Sequence, residues 1–302
     1  MPFGTILKGI GGFYYVRSED DQNIYECKPR GIFRKDSLVP VPGDKVVFSI
    51  LDCLKKLGNI DEIQERKSEL IRPAIANIDQ IAIVVASKAP NPDFSLLDKL
   101  LITAEMKSIN VIICVNKCDL DDGQMFRNIS EIYGLAGYDC IDLSSVKSTG
   151  FRALKERLKD RITVFAGQSG VGKSTILNHI LEEWVMETGS VSDKIARGKH
   201  TTRHAELLEL KFGGYVADTP GFSSFEISIP YSELENYYPE IRRNIGGCRF
   251  TSCSHISEPD CPVKEAVEKG EISKDRYQSY IQLYTQLKSI PQYGKKAKQR
   301  KG

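Results

Sequence analysis

The sequence predicts a multidomain chain with an N-terminal β-barrel, a central α/β domain on a mostly parallel sheet, and a C-terminal, mainly helical domain. Three successive patterns along the 302 residues indicate this division. Short strands and turns fill residues 1–67, strands alternate with helices over 68–225, and residues 226–302 are rich in cysteine, tyrosine and charge. At ~100–200 residues per domain, the length accommodates two or three domains.

The N-terminal region has short strand-like runs separated by glycine, proline and charged turns, of which Pro42-Gly43-Asp44 is the clearest. Short strands without a helical period favour a small closed barrel. The predicted strands are Thr5–Ile10, Phe13–Val16, Asn23–Cys27, Lys45–Ser49 and Asn59–Ile63. The region is also basic, through Lys8, Arg17, Lys28, Arg30, Arg34, Lys35 and Lys45. This bias fits two interpretations equally: a solvated barrel surface, or an OB-type module that holds RNA.

The central region alternates buried apolar runs with amphipathic segments, which predicts an α/β sheet with mostly parallel strands. Its predicted strands are Asp79–Ala86, Val111–Val115, Tyr138–Leu143, Ile162–Ala166, Leu207–Leu210 and Tyr215–Ala217. Its predicted helices are Ser95–Lys107, Phe151–Leu158 and Ser174–Glu187. In the C-terminal region, Lys274–Ile290 has the spacing of a long helix, and the last eight residues carry five positive charges suited to a phosphate backbone.

The strongest chemical signal is a GxxxxGK[ST] motif between a predicted strand and a predicted helix, which is the context of a phosphate-binding loop. Its residues are Gly167, Gln168, Ser169, Gly170, Val171, Gly172, Lys173 and Ser174. The glycines let backbone N–H groups wrap phosphates at a helix N-terminus. We expect Lys173 to reach the β- and γ-phosphates and Ser174 to coordinate Mg²⁺.

A second motif, Asn116-Lys117-Cys118-Asp119, follows the predicted strand Val111–Val115. A carboxylate can accept both N1–H and the 2-amino group of guanine, whereas adenine would leave it unmatched at a cost of ~1–3 kcal/mol. Asp119 therefore favours guanine over adenine. Asn116 would brace the loop, and the stem of Lys117 would cover the base. Ser144 and Ser145, in a small-residue loop after another strand, would offer a backbone N–H to guanine O6.

Two segments after the phosphate loop have the pattern of nucleotide-sensing switches. Asp218-Thr219-Pro220-Gly221 follows a predicted strand, so that the Asp218 carboxylate could hold a water on Mg²⁺ and the Gly221 N–H could contact a γ-phosphate. The earlier segment RGKHTTRH, residues 197–204, contains Thr201 and Thr202. A threonine here, either Thr201 or Thr202, would ligate Mg²⁺ and order the loop in the triphosphate state. A basic surface loop is the alternative interpretation.

The order of these motifs is unusual. The Asn-Lys-Cys-Asp motif at residues 116–119, called the base loop below, precedes the phosphate loop at residues 167–174. The first switch, residues 197–204, and the second switch, residues 218–221, come after both. Ordinary GTPases run from the phosphate loop through the switches to the base loop, so this order indicates a circular permutation. The permutation lets the chain leave the domain directly after Gly221, and a tether of a few residues joins the C-terminal region to the second switch.

Three cysteines and one histidine within fourteen residues predict a closed, structural Zn²⁺ site in the C-terminal region. The expected ligands are Cys248, Cys253, His255 and Cys261. The remaining cysteines are scattered, at positions 27, 53, 114, 118 and 140, and thiols explain them. Buried, reduced side chains without a metal are the alternative for the four clustered residues.

Composition excludes several classes of protein. Hydrophobic residues make up 41% of the chain and charged residues 27%, which argues against a largely disordered protein. The longest apolar run, Ile81–Ala86, is far shorter than the ~20 residues of a membrane-spanning helix, so no membrane partner is expected. The N-terminus has no charged and apolar leader, so a cytoplasmic location is expected. The net charge is only +2, so any nucleic-acid surface must be local.

Together these motifs resemble those of the ribosome small-subunit-dependent GTPase A family (RsgA, also called YloQ or YjeQ), over nearly the whole chain. The resemblance rests on GQSGVGKS, RGKHTTRH, DTPG, an NKCD ahead of the phosphate loop, and the Cys-Cys-His-Cys cluster. It implies an OB-fold, GTP hydrolysis stimulated by the 30S subunit, and a role in late 30S maturation with 16S rRNA as a partner. It also extends the phosphate loop to Thr175 and assigns Thr201 and Thr202 to the first switch.

The segment after DTPG departs from many GTPases, because Phe222 stands where they carry a glutamine that orients water. Water must then be positioned from elsewhere, and His200 is the candidate, although a simple loop histidine is the alternative. Slow intrinsic turnover and acceleration by a partner are expected. We expect a monomeric GTP phosphohydrolase; an RNA-binding scaffold with nucleotide as a structural ligand and an ATPase are the two rival interpretations.

Overall fold

The computed structural model describes residues 1–31, 33, 38–71, 73–181, 205–218 and 227–290. These residues divide into two compact units, one drawn from 1–126 and 140–224 and the other from 127–139 and 225–302. All eight cysteines lie in the described part of the chain, and none of them forms a disulfide. Among the described residues, no helix combines the length and the apolar character needed to cross a membrane.

The predicted N-terminal barrel is confirmed as a closed, five-stranded barrel in the order β1-β2-β3-β5-β4. Its strands are β1 (Phe3–Ile10), β2 (Phe13–Ser18), β3 (Ile24–Pro29), β4 (Lys45–Asp52) and β5 (Leu57–Ile63). All pairs are antiparallel except the parallel pair β3–β5 that closes the barrel. Alternate inward side chains fill it: Ile6, Val16, Tyr25, Cys27, Val46, Phe48 and Ile60.

A buried ion pair lies where the barrel meets the next segment of the chain. The fully buried Asp44 carboxylate accepts hydrogen bonds from Arg66 Nε at 2.7 Å and Arg66 Nη2 at 2.9 Å. It also accepts one from the Val41 backbone N–H at 2.8 Å. The hairpin that comes next, β6 (Glu69–Ile71) and β7 (Ala74–Ala76), is not predicted from the sequence, because strands of three residues are too short to show a period.

The predicted α/β domain is confirmed as a six-stranded sheet in the order β10-β9-β8-β11-β13-β12. Its strands are β8 (Gln80–Ala86), β9 (Asn110–Asn116), β10 (Asp139–Asp142), β11 (Ile162–Ala166), β12 (Glu206–Glu209) and β13 (Tyr215–Asp218). Its helices are α1 (Phe94–Met106), α2 (Gln124–Gly134), α3 (Phe151–Leu158) and α4 (Lys173–Leu181). Strands β8, β9, β11 and β13 are parallel, and β12 pairs antiparallel with β13 at the sheet edge.

The edge strand β12 contacts the barrel through ion pairs. Lys8 Nζ lies 2.7 Å from Glu206 Oε1, and Arg17 pairs with Glu209. Glu206 is directly opposite Asp218 in the β12–β13 register. The barrel therefore contacts β12, which pairs with β13, the strand that ends at Asp218.

The second unit consists of one long helix and several short ones around a buried ion pair. It contains α5 (Pro239–Arg242), α6 (Pro262–Glu268), α7 (Lys274–Ser289) and a 3-10 helix, Tyr231–Tyr237. Arg276 Nε donates to Glu240 Oε1 at 2.8 Å, and both side chains are buried. The Arg276 guanidinium also lies 4.4 Å and 5.2 Å from the ring centroids of Tyr238 and Tyr133. Tyr133 belongs to α2, so part of a helix that comes after the base loop belongs to this unit.

Candidate functional site

The phosphate-loop motif joins β11 to α4, as its strand–loop–helix context predicts. Its conformation requires glycine at two points. Gly167 has φ +133°, and a Cβ there would lie 2.2 Å from the Val84 carbonyl oxygen. Gly172 has φ +97°, and a Cβ there would lie 2.4 Å from Asn116 Nδ2. Side chains at these positions would push the loop away from the sheet and from the base loop.

The Lys173 ammonium lies within the loop, where its Nζ donates to the carbonyl oxygens of Gly167 at 2.7 Å and Gln168 at 2.8 Å. Burial lowers the pKa of Lys173, since a cation loses hydration there. Ser174 and Thr175 come next in the first turn of α4. This turn presents the N-terminal end of a helix, where backbone N–H groups favour anions.

The base loop comes after β9 and is tied to the phosphate loop by two side chains. Asn116 is buried, and its Nδ2 donates to the Val171 carbonyl oxygen at 2.9 Å. Lys117 Nζ donates to the Gly170 carbonyl oxygen at 2.8 Å and to the Ala89 carbonyl oxygen. The base loop and the phosphate loop therefore lie at one edge of the sheet, although about fifty residues separate them along the chain.

Asp119 is held by the small-residue loop after β10. Ser144 Oγ donates to Asp119 Oδ1 at 2.6 Å and itself accepts a hydrogen bond from the Lys147 N–H at 3.0 Å. Ser145 Oγ donates to Asn116 Oδ1 at 3.3 Å. An ionised carboxylate has several lone-pair sites, so the bond from Ser144 orients Asp119 and leaves acceptor capacity for ring N–H and amino donors.

The switch residues are only partly described. The backbone of Asp218 ends β13, which runs parallel to β11, so it reaches the same edge of the sheet as the phosphate loop. Most of the predicted switch residues lie outside the described residues: His200, Thr201, Thr202, Thr219, Pro220, Gly221 and Phe222. Arg34 and Lys35 of the predicted basic region also lie outside them, as does the basic stretch of the last eight residues.

The four residues expected to bind zinc lie together in the second unit, with their ligand atoms all within 4.8 Å of one another. His255 Nδ1 lies 3.6 Å from Cys248 Sγ and 3.4 Å from Cys261 Sγ, and the Sγ atoms of Cys253 and Cys261 are 3.9 Å apart. Zn–S and Zn–N bonds of about 2.3 and 2.1 Å place ligand atoms of a tetrahedron roughly 3.6–3.8 Å apart. The cluster therefore fits a four-coordinate metal ion.

Two carboxylates support this cluster. Glu235 Oε2 lies 2.7 Å from His255 Nε2, so the other ring nitrogen, Nδ1, faces the sulfur atoms. Glu258 accepts hydrogen bonds from the N–H groups of Ser254 and Ile256. Burial opposes ionisation of Glu258, but these bonds and one from the Ser254 hydroxyl prevail and lower its pKa to about 2.

No sequence motif includes either of these carboxylates, and none includes Ser87, a third such residue, which lies near the base loop. Ser87 comes directly after β8, and its hydroxyl donates to the Lys117 carbonyl oxygen at 2.6 Å. A lone serine or glutamate has no motif around it. Only its neighbours in the folded chain identify its role.

The fold and the site define a circularly permuted P-loop GTPase, since the base loop precedes the phosphate loop along the chain while both lie at one sheet edge. The sequence model described as RsgA GTPase matches residues 63–228, and the one described as RsgA N-terminal domain matches residues 3–55. The chain belongs to the RsgA family of GTPases.

Similar proteins match along the whole chain. A protein of Ruminiclostridium cellulolyticum named "Small ribosomal subunit biogenesis GTPase RsgA" is 68% identical, covering 100% of this chain and 99% of that relative. The protein of the same name from Alkaliphilus metalliredigens is 47% identical, with coverages of 97% and 100%. The crystal structure of YjeQ from Thermotoga maritima has a TM-score of 0.82 at 35% identity and covers 96% of this chain and 99% of its own. The structure of YloQ, "a circularly permuted GTPase", has a TM-score of 0.81 at 38% identity, with 97% of each chain covered.

Proposed function

We propose that this chain binds the small (30S) ribosomal subunit, acts in its late maturation, and hydrolyses GTP with a turnover that the subunit stimulates. The full-length relatives named for small-subunit biogenesis support the choice of partner. One structural observation carries the choice of nucleotide: Ser144 holds the Asp119 carboxylate at the sheet edge that also bears the phosphate loop.

The proposed reaction is in-line attack of water on the γ-phosphate. Lys173 turns from the loop carbonyls toward the β- and γ-phosphates and neutralises charge that develops between them. The Gly221 N–H contacts the γ-phosphate, and His200 orients the water. Mg²⁺, when bound with GTP, neutralises phosphate charge. Ser174, Thr201 and Asp218 would hold it, and the positions of Ser174 at the start of α4 and Asp218 at the end of β13 fit that role.

Guanine recognition is proposed to rest on Asp119, with Ser144 and Ser145 as the loop that faces guanine O6. The test changes the hydrogen-bonding groups of residue 119 and of the base together. Asp119→Asn replaces an acceptor by an amide donor, and xanthine carries a carbonyl where guanine carries its 2-amino group. The variant should bind GDP at least about 100-fold more weakly than the unmodified chain and should prefer XDP. Retained GDP preference in D119N, or displacement of labelled GDP by ATP as well as by GTP, would refute this role.

The metal of the Cys/His cluster is proposed to be one structural Zn²⁺. Three thiolates and an imidazole are typical zinc ligands, and four of them leave no open position for catalysis. Metal analysis should find one equivalent of zinc, and Cys261→Ser should lose it and lower the melting temperature. Cys53→Ser, at an exposed turn, is the matched control and should change neither. A chain that melts identically before and after metal removal would contradict a structural role.

Docking on the small subunit is proposed to use the barrel and the metal-binding domain on 16S rRNA, with GTP favouring the docked state. Co-sedimentation with 30S subunits should be stronger with a non-hydrolysable GTP analogue than with GDP, and phosphate release should rise when 30S is added. Release that stays flat with 30S would favour the rival interpretation, an RNA-binding scaffold with nucleotide as a structural ligand. We further propose that the protein is a monomer and that it acts in the cytoplasm together with this partner. The proposed functional domains are residues 1–67, 68–225 and 226–302.

A further inference from the structure

Ser87 contacts the base loop at the point where that loop turns. The residue is only 1% exposed, and it lies one residue beyond the end of β8. Its N–H donates to the Asn116 carbonyl oxygen at 2.8 Å, and its Oγ donates to the Lys117 carbonyl oxygen at 2.6 Å. One residue therefore fixes two successive carbonyl groups of the base loop.

The second of these carbonyls controls the turn that carries Asp119. The Lys117 oxygen also accepts the N–H of Leu120 at 2.9 Å, which closes the 3-10 turn Cys118–Leu120. Lys117 itself has φ +63°, a left-handed conformation that is rarely adopted without glycine. A hydrogen bond from a buried hydroxyl onto this carbonyl favours that conformation, and it fixes the direction in which the turn presents Asp119.

The residues after Ser87 extend the same contact. Lys88 Nζ donates to the Leu120 carbonyl oxygen at 3.3 Å, and the Ala89 carbonyl oxygen accepts from Lys117 Nζ. Residues 87–89 thus contact the Asn116 and Lys117 carbonyl groups of the base loop, the Leu120 carbonyl group at the end of the turn, and the Lys117 side chain. Pro90 continues toward the phosphate loop, where its Cδ would lie 3.7 Å from a Cβ at Gly170.

From these contacts we propose that Ser87 is a positioning residue for guanine specificity. It acts through Lys117 and holds Asp119 where the carboxylate meets both N1–H and the 2-amino group of the base. This inference rests on the proposed role of Asp119. It adds a residue that belongs to none of the sequence motifs and that comes directly after β8, the strand between β9, which leads to the base loop, and β11, which leads to the phosphate loop.

The test compares GDP with IDP, which lacks the 2-amino group, on the full-length chain by competition against a fluorescent GDP. Ser87→Ala removes the hydroxyl, and Ser87→Cys keeps its approximate volume with a much weaker donor. Both variants should bind GDP about 3–10-fold more weakly and should lower the IDP/GDP ratio of dissociation constants by at least about threefold. Ser68→Ala is the matched control, because Ser68 Oγ makes a similar bond of 2.7 Å to the Ile78 carbonyl oxygen away from the base loop.

The outcomes separate a positioning role from a structural one. Equal losses for GDP and IDP, or an unchanged IDP/GDP ratio in both Ser87 variants, would overturn the proposal even if the melting temperature fell. The same ratio change in S68A would also overturn it. The xanthine exchange in Asp119→Asn is read separately: if that exchange succeeds and the Ser87 variants keep full discrimination, only the role of Ser87 fails. If Asp119→Asn does not come to prefer XDP, the proposed role of Asp119 is refuted, and with it the basis of the proposal for Ser87.

Discussion

Substituting Gly172 with alanine should weaken nucleotide binding far more than the same change at Gly170, although both glycines lie in one loop at positive φ. At Gly170, with φ +81°, a new Cβ meets only Pro90 Cδ at 3.7 Å, an ordinary contact. The cost is then the left-handed backbone alone, about 1–2 kcal/mol, so GDP affinity should fall by no more than roughly tenfold, the limit reached when only the nucleotide-bound loop adopts this conformation. This variant supplies the matched baseline.

At Gly172, with φ +97°, the new Cβ would lie 2.4 Å from Asn116 Nδ2, about 1 Å inside an ordinary contact. Asn116 is only 1% exposed and cannot move without breaking its bond to Val171, which costs a further ~1–3 kcal/mol. The sum is about 3 kcal/mol, so GDP affinity should fall by roughly 100-fold or more.

Titration with a fluorescent GDP analogue measures both losses, and a double variant locates their cause. When Asn116→Ala removes the clashing amide, adding Gly172→Ala should cost no more than Gly170→Ala costs in the unmodified chain. A Gly172→Ala variant within about threefold of Gly170→Ala would show that the contact between the two loops does not control nucleotide binding. An undiminished effect in the Asn116→Ala background would do the same.

Three further predictions concern stability and metal binding. Arg66→Ala leaves the buried Asp44 carboxylate without its two guanidinium N–H donors and should lower the free energy of unfolding by about 3 kcal/mol. Arg152→Ala, at a side chain that is 94% exposed, should change it by less than about 0.5 kcal/mol, and similar urea midpoints for the two variants would contradict this. The pKa of Glu258 is lowered from 4.5 to about 2, so its charge stabilises the fold above pH 4.5 and this stabilisation is lost as pH falls toward 2. The difference in melting temperature between the unmodified chain and Glu258→Gln should therefore shrink over that interval, and a constant difference would count against it. Glu235→Gln, which weakens the orientation of the ligand histidine, should lower zinc affinity about 10-fold in chelator competition, and an unchanged affinity would remove Glu235 from the metal site.

Local patterns explain why much of the architecture is predictable. The strands of the barrel and of the sheet were predicted within a few residues, because their apolar runs are bounded by strong turn signals. The exception among the strands is the β6–β7 hairpin. Helix α2 shows a different limit: the sequence analysis predicts no helix over Gln124–Gly134, and no pattern there indicates that its later part belongs with the second unit. That assignment depends on Tyr133 meeting Arg276, more than 140 residues away.

The amino-acid sequence alone determined the parts of this protein that depend on neighbours along the chain: the glycine pattern of the phosphate loop, the base loop after a buried strand, and the close spacing of the three cysteines and one histidine of the Cys/His cluster. Only the tertiary structure decided which of these parts meet. Strand β8 lies in the sheet between β9 and β11. This order brings Asn116 against Gly172 and lets Ser87 Oγ donate a hydrogen bond to the Lys117 carbonyl oxygen. No local pattern encodes strand order, because it results from packing all the strands and helices of the domain at once.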